Sequence, residues 1–165
     1  MNTVNKKQNI AVVYGGYSSE LEISVKSGKS VARWLRNAGR NVYEVMLCRE
    51  GWWVVTDGQD GGTERWPVDR NDFSCIIGGK RVHFDTAFII IHGDPGENGR
   101  LQAYFELTGI PFTGCGSLCA AISFDKYACK TYLRDSGVFL ADDIMLRRGD
   151  SWDAGEIVSR LGLPV

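Results

Sequence analysis

The stretch Phe88-Ile89-Ile90-Ile91-His92-Gly93-Asp94-Pro95-Gly96-Glu97-Asn98-Gly99 runs from an apolar strand straight into a glycine-rich turn. Leu101, Tyr104 and Phe105 follow at i, i+3, i+4 spacing and open a helix. Strand, polar turn and amphipathic helix form the repeating unit of a parallel α/β sheet. Such sheets bind ligands at the carboxyl ends of their strands. A histidine in a flexible turn at that position marks a candidate site.

The same pattern recurs upstream. Ile10 to Tyr14 is a short apolar run closed by Gly15-Gly16, which suits a buried parallel strand. Ser19 with Glu22 three residues later reads as a capping box. The helix it opens carries an apolar stripe of Ile23, Val31, Trp34, Leu35 and Ala38, with Ser27 on the same face and Gly39 as its stop. Trp34 is expected to face the core. Val42 to Leu47 is a second strand, so a βαβ unit with a right-handed crossover is expected.

Gly51-Trp52-Trp53-Val54-Val55 reads as one arm of an added hairpin, with the two tryptophans on opposite faces. Residues 57–72, rich in Gly, Asp and Arg, read as a surface loop. Phe73–Ile77 and Arg81–Phe84 form a second small hairpin around Gly78-Gly79, and the main sheet resumes at Thr86–Ile91. Helices follow at about 100–108 and 117–122. A turn and short strand at Gly109–Gly114 lie between them. Ser123 is expected to cap a helix to Ser136. Val138–Leu146 reads as extended, and Ser151 as the cap of a last helix to Leu161. Gly162-Leu163-Pro164-Val165 reads as the start of a buried strand, so these residues are expected to be the front part of a longer protein.

At 165 residues with 44% apolar and 24% charged residues, the chain is an ordinary globular sequence, which excludes wholesale disorder. Nineteen Lys+Arg against twenty Asp+Glu leave no basic field, so no nucleic-acid partner is expected. The first residues lack the apolar core of a signal peptide, and no stretch is long enough to span a bilayer. A cytoplasmic protein is expected. The five cysteines contain no C-x-x-C pair, and Cys115-x3-Cys119 has no histidine nearby to complete a zinc site. Reduced thiols are the reading.

Three constellations carry chemistry. In Gly15-Gly16-Tyr17-Ser18-Ser19-Glu20-Leu21-Glu22-Ile23-Ser24, two glycines let the backbone approach a ligand closely. Free N–H groups at a helix start favour an anion, whereas Glu20 could grip an ammonium group. An amino acid carries both charges. The plain alternative is that Ser19 is only a cap and Glu20 only complements the helix dipole. In the second constellation, His92 can donate to a carboxylate or phosphate oxygen, or be a structural histidine in a tight turn. Asp94, Glu97 and Asn98 read as turn and cap residues rather than metal ligands. His83 reads as a strand residue without a chemical role. In the third, Ser123-Phe124-Asp125-Lys126, a lysine in a first helical turn opposes the dipole, which makes sense if it reaches for phosphates. A solvated surface lysine is the alternative, and Lys130 is an equally plain candidate.

The order of these motifs resembles the amino-terminal half of D-alanine–D-alanine ligases, members of the ATP-grasp superfamily. The matching pieces are Gly-Gly-x-Ser-x-Glu-x-x-x-Ser after the first strand, His-Gly-x-x-Gly-Glu-Asn-Gly, Pro-Phe-Thr-Gly-Cys-Gly and Phe-Asp-Lys. The resemblance covers about residues 9 to 165 except an insert at roughly 50–84. It departs at Asn98, where an acid is more usual, and at Cys115, where serine is common.

The resemblance implies an α/β fold. A mostly parallel sheet flanked by helices, a Rossmann-like pre-ATP-grasp domain over residues 1–113, precedes the start of an α+β ATP-grasp domain over 114–165. It implies that ATP phosphorylates one D-alanine and that the amine of a second D-alanine attacks the acyl phosphate, for peptidoglycan precursor synthesis. Glu20 would hold the first D-alanine's ammonium, with Ser24 supporting it. His92, with Gly93 beside it, would meet that substrate's carboxylate. Lys126 would neutralise ATP phosphates. Mg²⁺ or Mn²⁺ ligands are expected beyond Val165, and a homodimer is implied. The competing readings are a small-ligand binding module for an amino acid or carboxylate, and another ATP-grasp carboxylate–amine ligase, one forming depsipeptides included.

Overall fold

A computed structural model describes residues 8–58 and 61–163. The chain divides into two compact units, one ending at Phe124 and one beginning at Asp125.

The first unit is built on a seven-stranded sheet. Its strands are β1 (Asn9–Gly15), β2 (Asn41–Cys48), β3 (Gly51–Asp57), β4 (Thr63–Asp69), β5 (Ser74–Ile77), β6 (Lys80–His83) and β7 (Thr86–Ile89), in spatial order β6-β5-β4-β3-β2-β1-β7. β1 pairs in parallel with β2 on one side and β7 on the other. It therefore lies inside the sheet and is covered on both faces, which explains its unbroken apolar run. Ala11 and Val13 face one core with Val45, Leu47, Leu101 and Phe105, whereas Val12 and Tyr14 face a second with Ala32.

The α/β architecture is as expected, but the parallel part is confined to β2, β1 and β7. The inserted strands β3 to β6 extend it by antiparallel pairing, so the sheet is mixed rather than mostly parallel. The loop expected at 57–72 contains a strand, β4. Its half-exposed sequence lacks alternation, and its ladder to β3 holds it in place. Trp52 packs edge-on against Tyr104, while Trp53 pairs with Met46 on the opposite face, as the alternation requires. Phe73 anchors the insert, with its ring 4.9 Å from Phe105 and 5.2 Å from Phe84.

Helix α1 (Leu21–Asn37) corrects two expectations. Its buried face is Ser24, Gly28 and Ala32, flanked by Val25, Val31 and Leu35, while Ile23 and Trp34 are 54% and 62% exposed. Small residues win this face because α1 lies tight on β1: a Cβ at Gly28 would stand 2.4 Å from the Tyr14 ring. Nor does Ser19 cap it. Glu20 is the N-cap residue, and the Ser18 hydroxyl accepts the Glu20 N–H at 3.2 Å. Its end is as expected: Gly39 donates to Arg36 O and Arg40 to Leu35 O, the paired bonds of a Schellman motif.

Helix α2 (Arg100–Thr108) buries Leu101 and Phe105 against the first core. Pro111 to Thr113 runs beside β7 as a short bridge, and α3 (Ser117–Phe124) closes the unit.

The second unit contains α4 (Lys126–Leu133) and α5 (Ala154–Leu161). Their caps are Asp125 and Asp153, whose carboxylates accept from Ala128 N and Glu156 N at 2.9 Å each, not the expected Ser123 and Ser151. The Ser123 hydroxyl donates instead to Ala120 O. α4 ends at Leu133, short of Ser136, and Val138–Leu146 joins no strand among the described residues. Of the strand expected to begin over Gly162-Leu163-Pro164-Val165, Pro164 and Val165 lie outside the described residues.

Candidate active site

Two turns meet at the carboxyl end of β1 and β7. The first leaves β1 at Gly15-Gly16 and enters α1, and the second runs from Ile90 to Gly99 and enters α2. Backbone and hydroxyl bonds join them. Tyr17 N donates to Asp94 O at 2.8 Å, and the Ser18 hydroxyl donates to His92 O at 2.8 Å. Ser24, fully buried, accepts Gly15 N at 2.8 Å and donates to Ile90 O at 2.7 Å. Glycine is required where the turns touch. A Cβ at Gly16 would lie 2.7 Å from the Ile91 side chain. Gly93, at φ +76, would place one 2.9 Å from Ser18 Cβ and 3.8 Å from a Glu20 carboxylate oxygen.

The second turn braces itself. Glu97 accepts Gly93 N at 2.7 Å with its carboxylate, and Glu97 N donates to Gly93 O. Asp94 is held by Asn98 at 2.6 Å and by Arg100 at 3.0 Å, and its bond to Pro95 is cis. Buried Gln102 donates to Gly96 O at 2.6 Å. Asp94, Glu97 and Asn98 are turn residues, as their sequence context indicated.

The structure thus brings Glu20, Ser24, His92 and Gly93 to one corner of the sheet. Glu20 is exposed and His92 half-buried, and neither side chain bonds to another described residue. A free carboxylate can meet an ammonium group, and a free imidazole a carboxylate or phosphate oxygen. Ser24 is different in kind. Both its proton and its acceptor are engaged by backbone, so it fixes the relation of the two turns from beneath. Ser18, which bonds across to the histidine's carbonyl, had no role assigned from sequence. Its partner is 74 residues away, and only its place inside the glycine motif marked it.

In the second unit, Lys126 and Lys130 separate cleanly. Lys130 is tied to Asp143 at 3.4 Å and to Ala141 O at 2.7 Å. Lys126 is exposed, without an ion pair among the described residues, and lines a hollow of about 370 Å³ together with Lys130, Asp125 and Asp143. No disulfide joins the cysteines, and no group of three or more His, Cys, Asp or Glu among the described residues could hold a metal ion.

By fold, this arrangement groups with amino-acid ligases. The D-alanine–D-alanine ligase of Coxiella burnetii superposes with a TM-score of 0.80 at 26% identity, covering 94% of this chain and 50% of that one. The Bacillus anthracis ligase solved in complex with ATP gives a TM-score of 0.66 at 26% identity, covering 94% and 45%. By sequence, the D-alanine–D-alanine ligase of Parabacteroides distasonis is 44% identical over 159 residues, which are 96% of this chain and 47% of that protein. Residues 9–115 match the family model described as D-ala D-ala ligase N-terminus, and the chain belongs to that family. It spans about half the length of the curated relatives it matches.

Proposed function

We propose that this chain supplies the first-substrate half of an ATP-dependent D-alanine–D-alanine ligase. The observation that carries the reading is the joint between the turns. The Ser18 hydroxyl on His92 O and the approach of Gly93 to the Glu20 carboxylate bring the His92 backbone and an acid to one corner, which supports the reading. A zwitterion laid there has its ammonium on Glu20 and its carboxylate toward His92.

In the proposed reaction the γ-phosphoryl group of ATP passes to a carboxylate oxygen of the first D-alanine, giving an acyl phosphate and ADP. The amine of the second D-alanine attacks the carbonyl carbon. The C–N bond forms, phosphate leaves and the amine loses a proton. His92 donates to the oxygens that gain charge, and Lys126 neutralises ATP phosphates; such positioning and neutralisation are most of what phosphoryl transfer needs. Ser24 holds the ledge in place. Mg²⁺ or Mn²⁺ would neutralise phosphate charge further, but the described residues offer no matching carboxylate cluster, and none is assigned to it. We further infer that residues 1–113 are the substrate domain and 114–165 open an ATP-grasp domain. The cellular role we infer is cytoplasmic peptidoglycan precursor synthesis by a homodimer.

The test is dipeptide and ADP formation from D-alanine and ATP by the product of the complete reading frame that contains this chain. Loss of a charge-assisted bond is worth about 1.5–3 kcal/mol, so Glu20→Gln should lower kcat/KM for the first D-alanine by about 10- to 100-fold. Lys126→Ala should raise KM for ATP. Unchanged kinetics in Glu20→Gln would contradict the assignment. The 165-residue chain alone should form no dipeptide, because it spans about half the length of its relatives.

A further inference from the structure

On the side of the two turns away from the α1 face, a cleft of about 440 Å³ opens between the insert and α2. That volume lies in the range of small-molecule sites. Buried Pro95 and Leu101 line it, and Tyr17, Trp52 and Tyr104 bring three aromatic rings to it. Trp52 and Tyr104 meet edge-on, with centroids 5.0 Å apart at 86°.

The polar tips of Trp52 and Tyr104 are already satisfied. The Trp52 indole donates to the Tyr17 hydroxyl at 2.9 Å, and the Tyr104 hydroxyl donates to Arg70 O at 2.9 Å. What remains for a ligand is carbon surface and the Tyr17 hydroxyl proton. Burial, with Asp72 and Asp69 nearby, pushes the Tyr104 phenol up to about 12, so this wall stays uncharged at neutral pH.

Asp94, the acid lining the cleft, is engaged by Arg100 and Asn98. Asp69 and Asp72, which flank the insert's turn, lie 3.6 and 3.4 Å from Arg81. Arg70 is exposed and has no ion pair among the described residues. An aromatic cleft with the Arg70 guanidinium at its rim, and that of Arg49 5.9 Å from the Tyr17 ring centroid, fits a flat apolar body carrying one negative charge.

We propose that this cleft is a second ligand site, distinct from the Glu20 and His92 ledge, and that it takes a planar aromatic monocarboxylate with its carboxylate on Arg70. The site is coupled to the ledge, because the Tyr17–Asp94 backbone bond that closes one side of the cleft also joins the two turns.

The test is binding to the 165-residue chain, followed by the Trp52 indole N–H resonance, assigned with Trp52→Phe, and by backbone amide shifts. Naphthoate is the probe, with naphthalenemethanol as its neutral counterpart. Naphthoate should move the Trp52 and Leu101 signals and, through the shared bond, that of Gly93. Naphthalenemethanol should bind about tenfold more weakly, and Arg70→Ala should weaken naphthoate by a similar factor. Arg70→Ala removes only an exposed side chain, and unchanged amide dispersion verifies its fold. No movement of Trp52 with naphthoate overturns the site. Equal binding of acid and alcohol, or of wild type and Arg70→Ala, overturns the ligand class. The readout is binding to this chain and does not depend on ligase turnover.

Discussion

A buried hydroxyl bonded through both its proton and its lone pair leaves two backbone groups without partners when it is removed. Ser24→Ala would orphan Gly15 N–H and Ile90 C=O, the roots of both turns. Unsatisfied buried groups cost about 1–3 kcal/mol, so the urea midpoint should fall accordingly while the slope stays constant. An unchanged midpoint would show that water or a shifted backbone replaces the hydroxyl. Tyr104 gives a pH signature. Its pKa rises to about 12 in the folded chain, so between about pH 10 and 12 the folded state holds more protons than the unfolded one. This contribution is present below pH 10 and is lost as pH rises through 12. Tyr104→Phe should therefore flatten the alkaline decline in denaturation midpoint relative to wild type. His92 and Glu20 were legible in the sequence because glycine turns after apolar strands flag them. The bonds of Ser18 and Ser24 were not, since their partners lie 74 and 66 residues away.

At the scale of elements, α1 shows how bulk misleads. Reading the stripe from large side chains put Trp34 inward, whereas close approach to β1 selects the small residues Ser24, Gly28 and Ala32. Two substitutions separate these views. Trp34→Gln, on an exposed side chain, should change stability by no more than about 0.5 kcal/mol. Gly28→Ala drives a methyl into the Tyr14 ring and should cost about 1–3 kcal/mol by overpacking. The reverse ranking in chemical denaturation would contradict the observed face. β4 was illegible for a related reason. Thr63–Asp69 has one buried residue, Val68, so pairing rather than burial defines the strand, and pairing leaves no periodic mark in sequence. Serines before helices also misled, because in α4 and α5 the aspartates nearer the first turn take the capping bonds.

Across the whole first unit, the parallel strands β2, β1 and β7, with α1 and α2, follow from apolar runs and glycine turns, and they set the corner where the two turns meet. The antiparallel insert adds an aromatic wall beside that corner, with the Trp52 indole donating to the Tyr17 hydroxyl of the first turn. No helix among the described residues is long and apolar enough to cross a membrane. The central claim is that Glu20 and His92 jointly seat one amino-acid zwitterion, and D-alanine titration of the isotope-labelled chain, read by amide and imidazole shifts, tests it most directly. D-Alanine should move Ser18, Glu20, Gly93 and the His92 ring together, more than L-alanine does, and Glu20→Gln should abolish the response. Shifts at only one of the two turns, or an undiminished response in Glu20→Gln, would contradict it.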